Sequence, residues 1–150
     1  MALVAHSPWM DAPLPKEDIG NSTRIALLLR RADEDYECAL FMLDNGYGRA
    51  AVSRAYYVAF NLVEALLLSQ NIDPSELRHR QIFKAIESFH ENGDLDSASF
   101  EAYRKLGGAR RKADRAETED VAPELVADAI AWAGVILDNL TPKLRGVTQA

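Results

Sequence analysis

Residues 48–70, GRAAVSRAYYVAFNLVEALLLSQ, hold the pattern that decides the fold. Ala51, Ala55, Val58, Leu62 and Leu66 recur at three- and four-residue spacing, which lines them along one helical face. Val52, Tyr56, Ala59, Val63 and Leu67 repeat that spacing on a second face. A helix that is apolar nearly all round is a central, buried one, so other helices must surround it. Ala50, Ala51, Ser53, Ala55 and Ala59 are small enough to let those neighbours approach closely.

Upstream, Ile25, Leu28, Leu29, Ala32, Tyr36, Ala39, Leu40 and Leu43 form another helical face, and Asn21, Ser22 and Thr23 supply N-cap chemistry before it. Asp44-Asn45-Gly46 stops that helix, because Asn and Gly accept the left-handed conformation of a C-terminal cap. Downstream, Asp73 reads as an N-cap and Pro74 as a first-turn residue of a third helix, about Ser75 to Glu91, which turns Leu77, Ile82, Phe83, Ile86 and Phe89 inward. A fourth helix begins near Ser97 and carries Phe100, Tyr103 and Leu106. Gly107-Gly108 is expected to kink or interrupt it and so to aim the arginines that follow, at about 1 kcal/mol per glycine relative to alanine. An acidic connector at 116–123 leads to a last helix, about 123 to 140, with Val126, Ile130, Ala133, Leu137 and Leu140 at core spacing. No segment alternates with period two. The expectation is all-α: an up-and-down bundle of four to five helices over 21–142, a flexible arm at 1–20 and a tail at 143–150.

A chain of 150 residues, 48% hydrophobic and 27% charged, has the size and composition of one folded domain. No continuous apolar run nears the roughly 20 residues that span a bilayer. Met1 to Pro15 has neither the basic start nor the apolar core of a signal peptide, so a cytoplasmic protein without membrane partners is expected. The single cysteine, Cys38, excludes an intrachain disulfide, and its place in an apolar pattern points to a buried structural thiol. A formal charge of −6 argues against nucleic-acid binding by the whole surface. Basic residues nevertheless collect at Arg104, Lys105, Arg110, Arg111, Lys112 and Arg115, where a local pocket is open to an anion. His6, His79 and His90 stand far apart without carboxylates at ligand spacing, so neither a metal nor a cofactor is expected; His6 and His90 read as exposed and incidental.

The run Asn45-Gly46-Tyr47-Gly48-Arg49-Ala50, continuing through Arg54-Ala55-Tyr56-Tyr57 to Phe60, resembles the HEPN family, a helical module of prokaryotic toxin–antitoxin and RNA-cleaving systems. Family members turn from a long first helix through Asn-Gly-Tyr into an Arg-Ala-Tyr-Tyr helix. His79 and Phe83 also fit the family pattern, as does Leu106-Gly107-Gly108-Ala109-Arg110-Arg111-Lys112-Ala113-Asp114-Arg115, with Arg110 at the family arginine and Arg115 in place of a tyrosine. With the helix order, the resemblance covers roughly residues 20 to 142. It implies a homodimer, possession of RNA as a ligand, and an operon partner such as a minimal nucleotidyltransferase antitoxin. Catalytic members place a histidine four to six residues after the arginine, pairing a phosphate-binding guanidinium with a proton-transferring imidazole. Here positions 115 to 118 are Arg115, Ala116, Glu117 and Thr118, and no histidine follows.

The candidate phosphate-binding residues are therefore Arg110, Arg111, Arg115 and Arg54, with Arg110 and His79 as candidate catalytic groups. Each has a plainer reading beside it. The fourth-helix arginines suit a solvated face paired with Asp114, Glu117 and Glu119, worth about 0–1 kcal/mol per exposed pair. Arg54 suits an at least partly buried ion pair with Asp35 or Glu64, flanked by two core tyrosines, or the floor of a cleft facing Arg110. His79 suits a helix-start residue. Three functions stay open: a degenerate RNA-, nucleotide- or partner-binding subunit, a metal-independent ribonuclease with His79 as an atypical base, and a bundle without ligand.

Overall fold

The computed structural model describes residues 20–115 and 121–148. Five helices follow one another: α1 (Asn21–Asp44), α2 (Gly48–Ser69), α3 (His79–Glu91), α4 (Ser97–Arg115) and α5 (Pro123–Thr148), with a 3-10 turn at Pro74–Glu76 before α3. They pack as an all-helical bundle, with no strand among the described residues. The arm at 1–19, the connector at 116–120 and the partners Glu117 and Glu119 lie outside the described residues.

The two-faced pattern of α2 does place it at the centre. Ala51, Val52, Ala55, Val58, Ala59, Leu62, Val63, Leu66 and Leu67 are all fully buried, and α2 packs against α1, α5 and α4. Burying one leucine or valine side chain stabilises by about 1.5–3 kcal/mol, so this helix carries much of the core. By length and composition α2 and α5 each suffice to cross a membrane, although no continuous apolar run announces it. Within the bundle, 72% of the most apolar window of α2 and 39% of that of α5 are buried.

Several local expectations change. Asn21, Ser22 and Thr23 do not cap α1, whose N-cap is Gly20 without a side-chain bond. Instead Asn21 Nδ2 donates to Leu68 O and Asn71 Oδ1, and Ser22 Oγ donates to Thr148 O, tying the start of α1 to the ends of α2 and α5. Asp73 does cap, accepting from Ser75 N–H at 3.0 Å, but it opens only the 3-10 turn. Its carboxylate also accepts from Arg24 Nη2 at 3.1 Å, so it fixes the start of α1 to this turn. The third helix proper starts at His79, after Gln81 Oε1 accepts from Arg78 N–H at 2.8 Å. Through Gly107 and Gly108, α4 runs without interruption. The last helix passes Pro142 and reaches Thr148, because Leu140 and Leu144 on either side are both 1% exposed and hold it to the core. Cys38 is exposed, lying one position off the inward stripe Ile25, Leu28, Leu29, Ala32 and Ala39. Leu40 and Leu43 at the end of α1 are likewise exposed, beside Phe41 and Tyr47.

Candidate anion-binding cleft

Three helices contribute to one open cleft of about 620 Å³, within the size range of ligand sites. From α4 come Tyr103, Arg104, Gly107, Arg110, Arg111 and Asp114. Their spacing of three and four residues puts them on one helical face, which is why a single helix lines a whole wall. The first turn of α3 adds His79, Arg80 and Phe83, and α2 adds Tyr56. Four arginines and a histidine thus face one carboxylate, Asp114.

Arg110 is the most constrained of these cations. Its guanidinium lies over the Tyr56 ring at 4.7 Å and the Tyr57 ring at 5.0 Å. Nη2 donates to Tyr57 Oη at 3.3 Å, and Nε faces Asp114 Oδ2 at 3.6 Å. Cation–π contacts of this kind contribute about 0.5–2 kcal/mol and favour arginine for its flat, weakly hydrated head. The side chain still keeps 31% of its surface exposed, so it is held and open at once. Arg111 folds back along its own helix: a Cβ at Gly107 would sit 3.5 Å from its Nη1, and one at Gly108 3.9 Å from its Nη2. The glycine pair therefore lies beside the guanidinium at ordinary contact distance and does not interrupt the helix. Arg104 is engaged by Glu101 at 2.7 Å, whereas Arg80 and Arg111 have no carboxylate within ion-pair distance among the described residues.

An aromatic ladder runs behind the cations. Tyr57 meets Tyr56 edge-on at 5.7 Å, Tyr56 stacks with Phe60 at 5.9 Å, and Phe60 lies 5.4 Å from the exposed His79 ring. Burial pushes the Tyr56 hydroxyl above its ordinary range, with the Arg110 charge pulling the other way. Burial, and the Tyr56 hydroxyl beside it, push Tyr103 up as well. Both phenols therefore stay protonated and act as neutral hydrogen-bonding groups. Glu64, half-buried one turn beyond Phe60, is held above the usual carboxylate range by burial, against the pull of Arg31, Arg24 and His79. Among the described residues no cluster of three metal-ligating side chains occurs.

The structure brings together Arg110, Arg111 and His79 and leaves out Arg54 and Arg115. Arg54 does not floor the cleft. It is exposed, with Nη1 3.2 Å from Asp35 Oδ1, and Asp35 also accepts from the buried Asn61 at 2.8 Å. Of the two expected partners it is Asp35 that is found, and the side chain is only partly buried because Arg54 lies outside both apolar stripes of α2. Arg115 turns back to donate from Nε to Arg111 O at 3.2 Å. His90 is not incidental: it bonds Ser97 Oγ at 3.0 Å and stacks on Phe100 at 4.5 Å, joining α3 to α4. Arg80 and Phe83 are cleft residues that the sequence reading did not assign, since only the packing of α3 on α4 sets them beside Arg110; Tyr103, on the same face of α4 as Arg110, reads from the sequence only as core.

A family model described as the HEPN domain matches residues 25–139, a span that includes every residue lining the cleft. Two proteins of Methanocaldococcus jannaschii, both named as candidate toxins, are 30% identical to this chain. The first alignment covers 82% of this chain and 90% of the relative, the second 77% and 78%. A UPF0332 protein of Thermotoga maritima is 29% identical over 81% of this chain and 91% of its own. On the match of fold, sequence and span, the chain belongs to the HEPN domain family.

Proposed function

We propose that this protein binds RNA through the cleft between α2, α3 and α4, as the homodimeric toxin-like subunit of a toxin–antitoxin pair, and cleaves that RNA slowly or not at all. The observation that carries this reading is the convergence of Arg80, Arg104, Arg110 and Arg111 on one cleft with a single opposing carboxylate. Guanidinium forks suit phosphate, and aromatic rings behind them suit nucleotide faces. A net charge of −6 confines RNA to that cleft, because the remaining surface repels a polyanion. The relatives' names support the toxin-like role, and a nucleotidyltransferase antitoxin is the partner the family resemblance suggests. Exposed Phe41, Tyr47, Leu40 and Leu43 at one end of the bundle supply apolar surface for a second copy or for that partner.

Weak cleavage follows from the missing histidine after Arg110. General acid–base help is typically worth about 10²–10⁴-fold, and the family spacing offers no group to give it. A second reading, metal-independent cleavage with His79 as the base, is favoured by one observation: His79 lines the same cleft as Arg110. One experiment separates the two. Purified protein, its mass set by light scattering, is titrated with a labelled single-stranded oligoribonucleotide in chelator, and the oligonucleotide is then checked for cuts. Binding that Arg110→Ala abolishes, without cleavage and without loss of folding, is the expected result. Cleavage abolished by His79→Ala establishes the second reading instead, and binding indifferent to Arg110→Ala removes the site assignment.

A further inference from the structure

An arginine that recognises phosphate must present its donors in a fixed direction, yet its side chain has four rotatable bonds and no intrinsic preference among many rotamers. Arg110 is restrained at three points. Tyr56 and Tyr57 cover the guanidinium at 4.7 and 5.0 Å, which fixes its plane. Tyr57 Oη accepts from Nη2 at 3.3 Å, which fixes its rotation within that plane. Asp114 meets Nε at 3.6 Å, a looser contact from a carboxylate that is itself 56% exposed. Nη1 is engaged by neither Tyr57 nor Asp114.

The three restraints are unequal in what they do. The rings are sited by the core, since Tyr56 is 8% exposed and stacks on Phe60. Asp114 is largely exposed, and its charge competes with that of an anion. The Tyr57 hydroxyl holds the guanidinium without opposing a negative ligand, because a neutral oxygen accepts one Nη2 proton and leaves the positive charge unspent; the buried Tyr56 hydroxyl, also neutral, interacts with the same guanidinium.

Building on the reading of the cleft as an RNA phosphate site, we propose that Tyr57 is its positioning residue, whose hydroxyl orients the Arg110 guanidinium so that Nη1 and the second Nη2 proton face the anion. Tyr57 itself does not touch the ligand; it acts through Arg110.

Tyr57→Phe keeps the ring and removes only the hydroxyl, so the core contact survives. With a labelled single-stranded oligoribonucleotide as probe, Tyr57→Phe should weaken binding about 3- to 10-fold, the range for loss of one ordinary hydrogen bond. The slope of log affinity against log salt should stay at the wild-type value, because the number of phosphates neutralised is unchanged, whereas Arg110→Ala should flatten it. Tyr57→Phe added to Arg110→Ala should cost nothing more, since the hydroxyl has no guanidinium left to orient. A second measurement stands apart from RNA: nitrogen-15 spectra of the free protein should show slow rotation of the Arg110 guanidinium, lost in Tyr57→Phe at unchanged melting temperature. Additive costs of the two substitutions, or wild-type affinity in Tyr57→Phe, overturns the positioning role while leaving the cleft assignment intact. Binding indifferent to Arg110→Ala overturns both, and the spectra then show whether the hydroxyl holds the guanidinium for a structural reason alone.

Discussion

Arg54 and Arg110 both stand beside a carboxylate and the tyrosine pair of α2, yet their surroundings assign them opposite tasks. Arg54 meets Asp35 with 47% of its side chain exposed, a pair that solvent screens. Arg54→Ala should therefore change stability by only about 0–1 kcal/mol, where a fully buried pair would lose about 3–5. Chemical denaturation of the variant checks this, and a loss near the upper figure would show that the Asp35–Asn61 network depends on the arginine. Arg110 is 31% exposed and rests on two rings, so it is held in place while part of it stays open to solvent. The sequence pointed to Arg110 through the family resemblance and to Arg54 through its neighbours in the chain. Only the first pointer survives as part of the cleft, because neighbours along a helix turn away within one residue while the cleft is assembled across three helices.

At the scale of elements, periodicity was legible and punctuation was less so. The paired stripes of α2 are read directly from residue types, and burial follows them residue by residue. Gly107-Gly108 and Pro142 carry strong local signals for a break, and packing overrides both. Leu106 and Ala109 flank the glycines and are buried, so α4 is held to the core on either side of its weakest point. The glycines then cost helix propensity without ending the helix. Gly108→Ala should raise stability by about 1 kcal/mol, since an added Cβ meets nothing nearer than the Arg111 guanidinium at 3.9 Å. Thermal melting measures the gain; a loss of stability would mean that the glycine clears a closer neighbour. The split between the 3-10 turn and α3 has a similar cause. Asp73 is committed to both Ser75 and Arg24, which hold its carboxyl down to about 2, and the helix restarts only once Gln81 satisfies the Arg78 N–H.

For the whole molecule, an acidic chain carries a basic cleft whose cations come from α3 and α4. Net charge argues only against nucleic-acid binding by the whole surface and leaves the α4 stretch as a candidate pocket, which Arg80 joins when α3 folds against α4. The central claim is that these cations bind RNA phosphates, and the salt dependence of oligoribonucleotide binding tests it most directly. Each phosphate contact to a single strand contributes a slope of about −0.7, so Arg80, Arg110 and Arg111 together predict roughly −2 in a plot of log affinity against log salt. Arg110→Ala should make that slope shallower by about 0.7 in a protein that melts as the wild type does. A slope near zero, or one that Arg110→Ala leaves unchanged, would contradict the account.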